Sequence, residues 1–269
     1  MSGKTWFITG ASRGFGRVFA TAALDRGDRV AATARNPDAL AELVDTYGDA
    51  ILPLTLDVTN RAAAFESVHA AQRHFGALDV VINNAGYGLF GFVEETSEKE
   101  AREQIETNLF GTMWVTQAAL PIMREQRSGH IIQISSFGGI VAVPHFGAYV
   151  ASKWAVEGLS DVLAQEVAGF GIHVTVVEPA GYATDWGGQS AKHTTPNPAY
   201  DAVRPGSWGS GGYDPSHAGP AMLEIVDAKQ PPRRVAFGSG VVNTFNRVYA
   251  DRIRHWEKWE HVSDMASGT

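Results

Sequence analysis

The sequence predicts a single α/β domain built on a doubly wound parallel sheet, and three observations carry that reading. Short apolar strands alternate with amphipathic helices without a break from Lys4 to Glu178. Three glycines, Gly10, Gly14 and Gly16, sit where the first strand turns into the first helix. Polar or special residues follow the strands at their carboxyl ends, among them Arg35, Asp57, Asn83, Ser136 and Pro179. Ligands bind at that edge of an open α/β sheet.

Each element has its own signal. Lys4 to Thr9 is an apolar strand that ends at the glycine cluster, and Phe15, Val18, Phe19 and Ala22 then recur at helical spacing. Arg29 to Ala34 is the second strand, and Asn36-Pro37 caps a helix to about Tyr47. The third strand is Ile51 to Leu56, after which Asp57-Val58-Thr59-Asn60 opens an alanine-rich helix to Phe75. Asp79 to Asn83 is the fourth strand. Ser97 and Glu100 form a capping box that starts one long helix to Gln126. His130 to Ser135 is the fifth strand, a helix through Tyr149 and Lys153 runs to Ala168, and Ile172 to Glu178 is the sixth strand. Right-handed crossovers turn this order into a Rossmann sheet.

Beyond it the periodicity stops. Residues 185–220 are rich in Gly, Pro and Ser and carry Trp186, Tyr200, Trp208 and Tyr213. A long aperiodic segment inside a compact domain reads as a functional loop, here a C-terminal cover over a substrate. Its glycines would let it close and exclude water. Ala221 to Ala228, a short strand at Val235 to Phe237 and a terminal helix from Val241 to Trp259 complete a single 1–269 domain.

Composition narrows the function classes. With 44% apolar and 19% charged residues over 269 positions, the chain can bury a large core. A net charge of −7 argues against nucleic acid as a partner. The absence of cysteine removes disulfides, thiol nucleophiles and zinc–thiolate sites. No HExxH motif appears among the nine histidines, so no metal site is expected. MSGKTWFITG enters a strand with no leader pattern, and no apolar run is long enough to span a bilayer. The expectation is a cytoplasmic protein.

A glycine turn at a helix N-terminus can cradle a pyrophosphate, because the backbone comes close and the helix offers N–H groups. The spacing here is G-x-x-x-G-x-G, which alone fits a structural turn as well. The second strand ends in Ala-Thr-Ala-Arg-Asn, with Arg35 where an NAD site usually has an acid. Arg13 adds a second cation. Two guanidiniums suit a 2′-phosphate, so NADP(H) is expected over NAD(H).

At the centre lies Ser135 to Lys153 (SSFGGIVAVPHFGAYVASK). Ser136 precedes Tyr149 by thirteen residues, and Lys153 follows Tyr149 by one helical turn. A tyrosine with ordinary pKa near 10 is a poor acid–base group at neutral pH until a nearby cation favours its phenolate. His145 and Phe146 precede Tyr149 in the loop facing the site, and they join Trp186 as candidate substrate contacts.

With these motifs assembled, the chain resembles the short-chain dehydrogenase/reductase family over essentially its whole length. Thr9 to Gly16 (TGASRGFG) matches the family's glycine motif, and Asn83 to Gly86 (NNAG) a second motif. Asn108 stands in the expected fourth-helix position, and Ser136 with Tyr149 and Lys153 matches the catalytic serine and YxxxK pair. Thr33 to Pro37, Glu178-Pro179 and Thr184-Asp185 resemble the hydroxysteroid and retinol dehydrogenase-like branch.

The resemblance implies catalysis by Asn108, Ser136, Tyr149 and Lys153. Ser136 would polarise a carbonyl, Lys153 would also bind the nicotinamide ribose, and Asn108 would hold a relay water. It places the dinucleotide against Gly10, Ser12, Arg13, Gly14, Phe15, Gly16, Arg35, Asp57, Val58, Asn84, Ala85, Gly86, Tyr149, Lys153, Pro179, Gly181 and Thr184. Asp57 and Val58 would meet adenine, Asn84 the central ribose region and Thr184 the carboxamide. It also implies a homodimer or homotetramer through the long fourth and fifth helices.

One departure stands out. The family's usual Pro-Gly is here Pro179-Ala180-Gly181, which adds a Cβ beside the expected nicotinamide.

The function so implied is NADP(H)-dependent interconversion of an alcohol and a ketone or aldehyde, on a bulky apolar small molecule. A non-catalytic NADP(H) sensor on the same fold is the alternative, disfavoured because a sensor has no use for a proton donor. A sugar-nucleotide epimerase or dehydratase fits the glycine spacing and the short C-terminal region less well.

Overall fold

The computed structural model describes residues 3–188, 190–205 and 212–268. Trp208 of the expected cover lies outside them. Nine strands are present among the described residues: β1 Thr5–Ile8, β2 Arg29–Ala34, β3 Ile51–Thr55, β4 Val80–Asn83, β5 Leu89–Phe90, β6 Gly129–Ile134, β7 Ile172–Pro179, β8 Lys192–His193 and β9 Arg234–Phe237. Seven form one parallel sheet in the order β3-β2-β1-β4-β6-β7-β9. The order reverses between β1 and β4, so a crevice opens there at the carboxyl ends. This is the Rossmann arrangement with an added edge strand.

The central strands read as unbroken apolar runs because both of their faces are covered. Trp6 and Ile8 pack on one side with α1 (Gly14–Asp25) and α7 (Ala218–Asp227), through Phe19, Leu24, Met222 and Ile225. Phe7, between them, points to the other side. There it meets α3 (Arg61–Phe75), α5 (Gly111–Gln126) and α6 (Gly147–Val167) through Val68, Val115, Met123 and Leu163. The remaining helices are α2 (Ala41–Tyr47), α4 (Glu98–Ile105), α8 (Val241–Lys258) and α9 (Glu260–Ser267).

Local signals and structure agree at most boundaries and differ at a few. Ser97 and Glu100 cap α4 reciprocally, Ser97 N to Glu100 Oε2 at 2.9 Å and Glu100 N to Ser97 Oγ at 3.3 Å. The helix expected to open at Asp57 starts at Arg61, because the Asn60 side chain takes the cap (Ala63 N to Oδ1, 3.0 Å). Asp57 folds back on Thr59 instead.

The long helix to Gln126 is interrupted by a π turn, Glu106–Phe110, that contains Asn108. Residues 185–220 contain short 3₁₀ turns and β8, which pairs in parallel with β5. Finally, α7 begins at Ala218 and α9 extends beyond the expected terminal helix.

Candidate functional site

The glycine turn has a steric reason at each position. Gly10 (φ +65°) and Gly14 (φ +54°) adopt a left-handed backbone that disfavours side chains. Gly16 lies so close to the turn that a Cβ would stand 2.2 Å from Gly10 O and 2.6 Å from Asn84 Nδ2. Asn84 holds this turn in place. Its Nδ2 donates to Thr9 O (2.9 Å) and Gly10 O (3.1 Å), while Thr9 Oγ1 accepts from the backbone N of Asn84 and of Ala85, both at 2.9 Å. The N-terminus of α1 has no side-chain cap, so its first N–H groups remain for a ligand.

A cavity of about 840 Å³ runs from this turn across the sheet edge. Ser12, Arg13, Gly14, Phe15, Arg35, Asp57 and Val58 line one end. Arg13 and Arg35 are exposed there, and neither guanidinium has a hydrogen bond or ion pair among the described residues. Arg17 nearby, by contrast, is paired with Glu42.

Ser136, Tyr149 and Lys153 line the other end, with Asn84, Ala85, Gly86, Pro179, Gly181, Thr184, Phe146 and Trp186 along the walls. Ser136 caps the turn after β6, its Oγ accepting from Gly138 N at 3.0 Å. Lys153 Nζ donates to Ile134 O at 2.8 Å, so the strand that delivers Ser136 also holds the lysine. Its ammonium stands 5.9 Å from the Tyr149 ring centre.

Burial governs both titrating groups. Desolvation pushes Lys153 down to about 8, opposed by the charge of Glu157 one turn further on. Tyr149, 5% exposed, is raised far above the ordinary phenol range by desolvation, and Ser136 pulls it only part of the way back. The expected depression of Tyr149 by the lysine charge is therefore not the dominant effect in this arrangement.

Three sequence-predicted residues lie off the cavity wall. Gly16 is packed beneath the glycine turn. Asn108, 1% exposed, ties three segments together: Nδ2 donates to Tyr87 O (3.1 Å) and Ser152 Oγ (3.0 Å), and Oδ1 accepts from Tyr87 N (3.2 Å). Ser152 Oγ in turn donates to Tyr149 O at 2.6 Å. His145, at φ +74°, packs edge-on against Phe92 and approaches Arg204 Nη1 at 3.4 Å.

Aromatic rings enclose Tyr149. Trp186 stands 5.0 Å from it, centre to centre, and lies parallel to Phe146 at 6.2 Å, while Phe90 packs on Phe146 at 4.6 Å. Gly88 makes room for Trp186, since a Cβ there would sit 2.5 Å from Cζ2. Ala180 is accommodated at the back. Its N donates to Phe237 O (2.8 Å), and its methyl packs against Gly238 and the Ile140–Val241–Phe245 cluster. A side chain at Gly238 would collide with that methyl at 2.9 Å.

Comparison with known proteins agrees with this geometry. The family described as short chain dehydrogenase matches residues 4–195. The chain belongs to the short-chain dehydrogenase family.

Among its relatives is oxidoreductase BOA17 of Botryotinia fuckeliana, 43% identical and covering 97% of this chain and 98% of its own. A short-chain dehydrogenase from Streptomyces avermitilis is 40% identical, with a TM-score of 0.88 over 98% of this chain and 99% of its own. Two other solved structures hold a nucleotide. A Burkholderia phymatum short-chain dehydrogenase with NAD is 26% identical (TM-score 0.80, 91% and 92% covered). A Thermococcus sibiricus alcohol dehydrogenase with 5-hydroxy-NADP is 28% identical (TM-score 0.75, 88% and 97% covered). This short-chain dehydrogenase is thus an oxidoreductase of the type that uses a nicotinamide dinucleotide.

The cover of this short-chain dehydrogenase holds residues that sequence reasoning missed. Glu95, whose side chain is 0% exposed, accepts from the Arg204 guanidinium, Asn197 N (2.8 Å), Phe92 N (2.9 Å) and Thr194 Oγ1 (3.2 Å). Arg204 above all holds its carboxyl far below the usual range. Gly91 admits Thr194 at distances that a Cβ would forbid. Residues 190–204 are therefore fastened to 88–95 and form a wall, where a freely closing loop was expected. Partners that stand about a hundred positions apart in the chain leave no local periodicity to read. Among the described residues no group of three His, Cys, Asp or Glu is placed to hold a metal, and no helix is long and apolar enough to cross a membrane.

Proposed function

We propose that this protein is an NADP(H)-dependent oxidoreductase that interconverts a secondary or primary alcohol and a ketone or aldehyde, with Tyr149 as acid and base. The observation that carries the reading is one cavity joining two arginines, unpaired among the described residues, at one end to Ser136, Tyr149 and Lys153 at the other. The residues present fit the dinucleotide: a cradle closed to Cβ atoms, an uncapped helix start, and no acid at the end of β2. When bound, the dinucleotide supplies or accepts the hydride.

Arg13 and Arg35 hold the 2′-phosphate by paired N–H bonds, and Gly10, Gly14 and the start of α1 hold the pyrophosphate. Asp57 and Val58 border the adenine, Asn84 and the glycine turn it holds border the central riboses, and Thr184 meets the carboxamide. Ser136 polarises the carbonyl. The Tyr149 hydroxyl gives its proton to the developing alkoxide in reduction, and the high pKa that burial imposes keeps that proton in place until then. Lys153 stabilises the phenolate left behind and binds the nicotinamide ribose. Asn108 positions the Tyr149–Lys153 turn through Ser152, and its relay-water role is the one implied by the family resemblance.

Phe90, Phe146 and Trp186 make the substrate end apolar, which suits a bulky carbonyl compound with little polarity near the reacting carbon. The test is NADPH oxidation over a panel of steroid, retinoid, aromatic and aliphatic carbonyls, with NADH in parallel and Tyr149→Phe as control. Turnover that favours NADPH and vanishes in the variant supports the proposal. Tight NADPH binding with no turnover across the panel shifts the reading to a dinucleotide sensor.

Two further outcomes follow. Lys153 is cationic below about 8 and loses its charge above that pH. The kcat/KM for reduction, which reports the free enzyme, is expected to be level from pH 6 to 7.5 and to fall roughly tenfold per unit above about 8. A level profile to pH 9.5 would remove Lys153's charge from the mechanism. Glu95→Gln keeps the shape of the wall's anchor and removes its charge. Loosening that anchor should raise KM for a bulky carbonyl roughly tenfold or more. The kcat and the NADPH Kd should stay within about threefold, and a lowered Tm with unchanged KM would make Glu95 merely structural.

A further inference from the structure

Lys153 is buried, and a buried ammonium needs a counter-charge. Its hydrogen bond to the Ile134 carbonyl orients it and supplies no formal charge. The Tyr149 ring and, beside Gly86, the Asn108 amide also face it among the described residues, and both are neutral. One turn further along α6 stands Glu157, buried as well.

Glu157 belongs to an ionic cluster beneath the site that none of the sequence motifs includes. Arg234, on the edge strand β9, donates Nη1 to Glu157 Oε2 and to Glu178 Oε1 (3.0 Å), and Nη2 to Asp161 Oδ2 (2.6 Å). Glu178 comes from β7 and Asp161 from the next turn of α6. The other Glu157 oxygen, Oε1, makes no hydrogen bond among the described residues. It lies against Gly139, where a Cβ would stand 2.7 Å from it and 2.5 Å from Ser135 Oγ. Three carboxyls therefore share one guanidinium, and the surplus is negative. Burial pushes Glu178 up to about 7, so that carboxyl sheds part of the surplus by taking a proton near neutrality.

We propose that Glu157, fixed by Arg234, is a positioning residue of the reaction: its carboxylate is the buried counter-charge that holds the Lys153 ammonium beside Tyr149. The inference rests on the Tyr149–Lys153 reading given above. A lysine at this depth with no anion one turn away would give up its proton at lower pH, because desolvation penalises the charged form. Glu157 opposes that desolvation at Lys153. Arg234 has the complementary task. Burial pushes the Glu157 carboxyl up from its ordinary value, and the guanidinium works against that push. Edge strand β9 thus reaches the reaction through one arginine and one glutamate.

Glu157→Gln tests this, since glutamine keeps the volume and leaves Arg234 its contacts with Glu178 and Asp161. The alkaline limb of kcat/KM for reduction, at about 8 in the wild type, is expected to move down by roughly one pH unit or more. The loss relative to wild type is then about tenfold at pH 8.5 and within about twofold at pH 6. Glu157→Asp, which keeps the charge, should hold the limb within about half a unit of the wild type. In the protein without nucleotide, the lysine Cε resonance that is absent from Lys153→Met should titrate at correspondingly lower pH in Glu157→Gln. A limb and a resonance that stay in place, with activity lowered equally at every pH, would make Glu157 structural and overturn the proposal. A wild-type profile with no limb would count against the role of the Lys153 charge instead, and an unmoved resonance would then overturn the counter-charge by itself.

Discussion

Tyr149→Phe is expected to lower carbonyl reduction with NADPH by about a thousandfold or more, with NADPH binding held within a few-fold. A positioned proton donor contributes roughly 10²–10⁴ to such a step. Phenylalanine at 149 removes that donor and leaves Ser136 and Lys153 beside the same cavity. Ser136 Oγ accepts from Gly138 N and keeps its O–H for the substrate carbonyl, while Lys153 Nζ donates to the Ile134 carbonyl. Phenylalanine preserves the ring that packs between Phe146 and Trp186, so the aromatic wall survives and only the hydroxyl is lost. Initial rates by NADPH absorbance, with binding followed by nucleotide fluorescence, separate the two effects. A variant retaining a tenth of the wild-type rate would show that the proton comes from elsewhere, and the proposed mechanism would fall.

The second large effect concerns the dinucleotide. Arg35→Asp is expected to raise the KM for NADPH roughly a hundredfold and to leave NADH use unchanged or improved. Hydrogen bonds to a charged group contribute about 1.5–3 kcal/mol each, and a bidentate guanidinium–phosphate contact makes two. The aspartate would also repel the 2′-phosphate while offering an acceptor to an unmodified ribose. Because Arg35 is exposed and unpaired among the described residues, its replacement disturbs no internal contact. Arg13→Ala should act in the same direction and more weakly, since it adds no opposing charge. Wild-type protein that already turns over NADH as well as NADPH would refute the cofactor assignment and leave the role of Tyr149 standing.

Strand placement and the frame of the site were legible from local sequence. β2 falls at Arg29–Ala34 as read, and β1, β4 and β6 within one residue at each end. Strands covered on both faces are continuous apolar runs, and that signal is local. The glycine turn was legible for a similar reason: left-handed backbone at Gly10 and Gly14 restricts the residue type directly. Reciprocal caps such as Ser97 with Glu100 span only one turn of chain.

The remaining features depend on partners far away in sequence. Asn84 carries no local sign that both its amide hydrogens go to Thr9 and Gly10 across the crevice. The π turn that places Asn108 between Tyr87 and Ser152 leaves the helical periodicity nearly intact, so it was read as continuous helix. Glu95 and Arg204 meet across 109 positions to fasten the cover. The Ala180 methyl is harmless only because Gly238, from another strand end, yields the space. Local sequence encodes which face of an element is buried; which elements then meet, and whether a burial pulls a pKa up or down as at Tyr149 and Lys153, is decided by the packed chain.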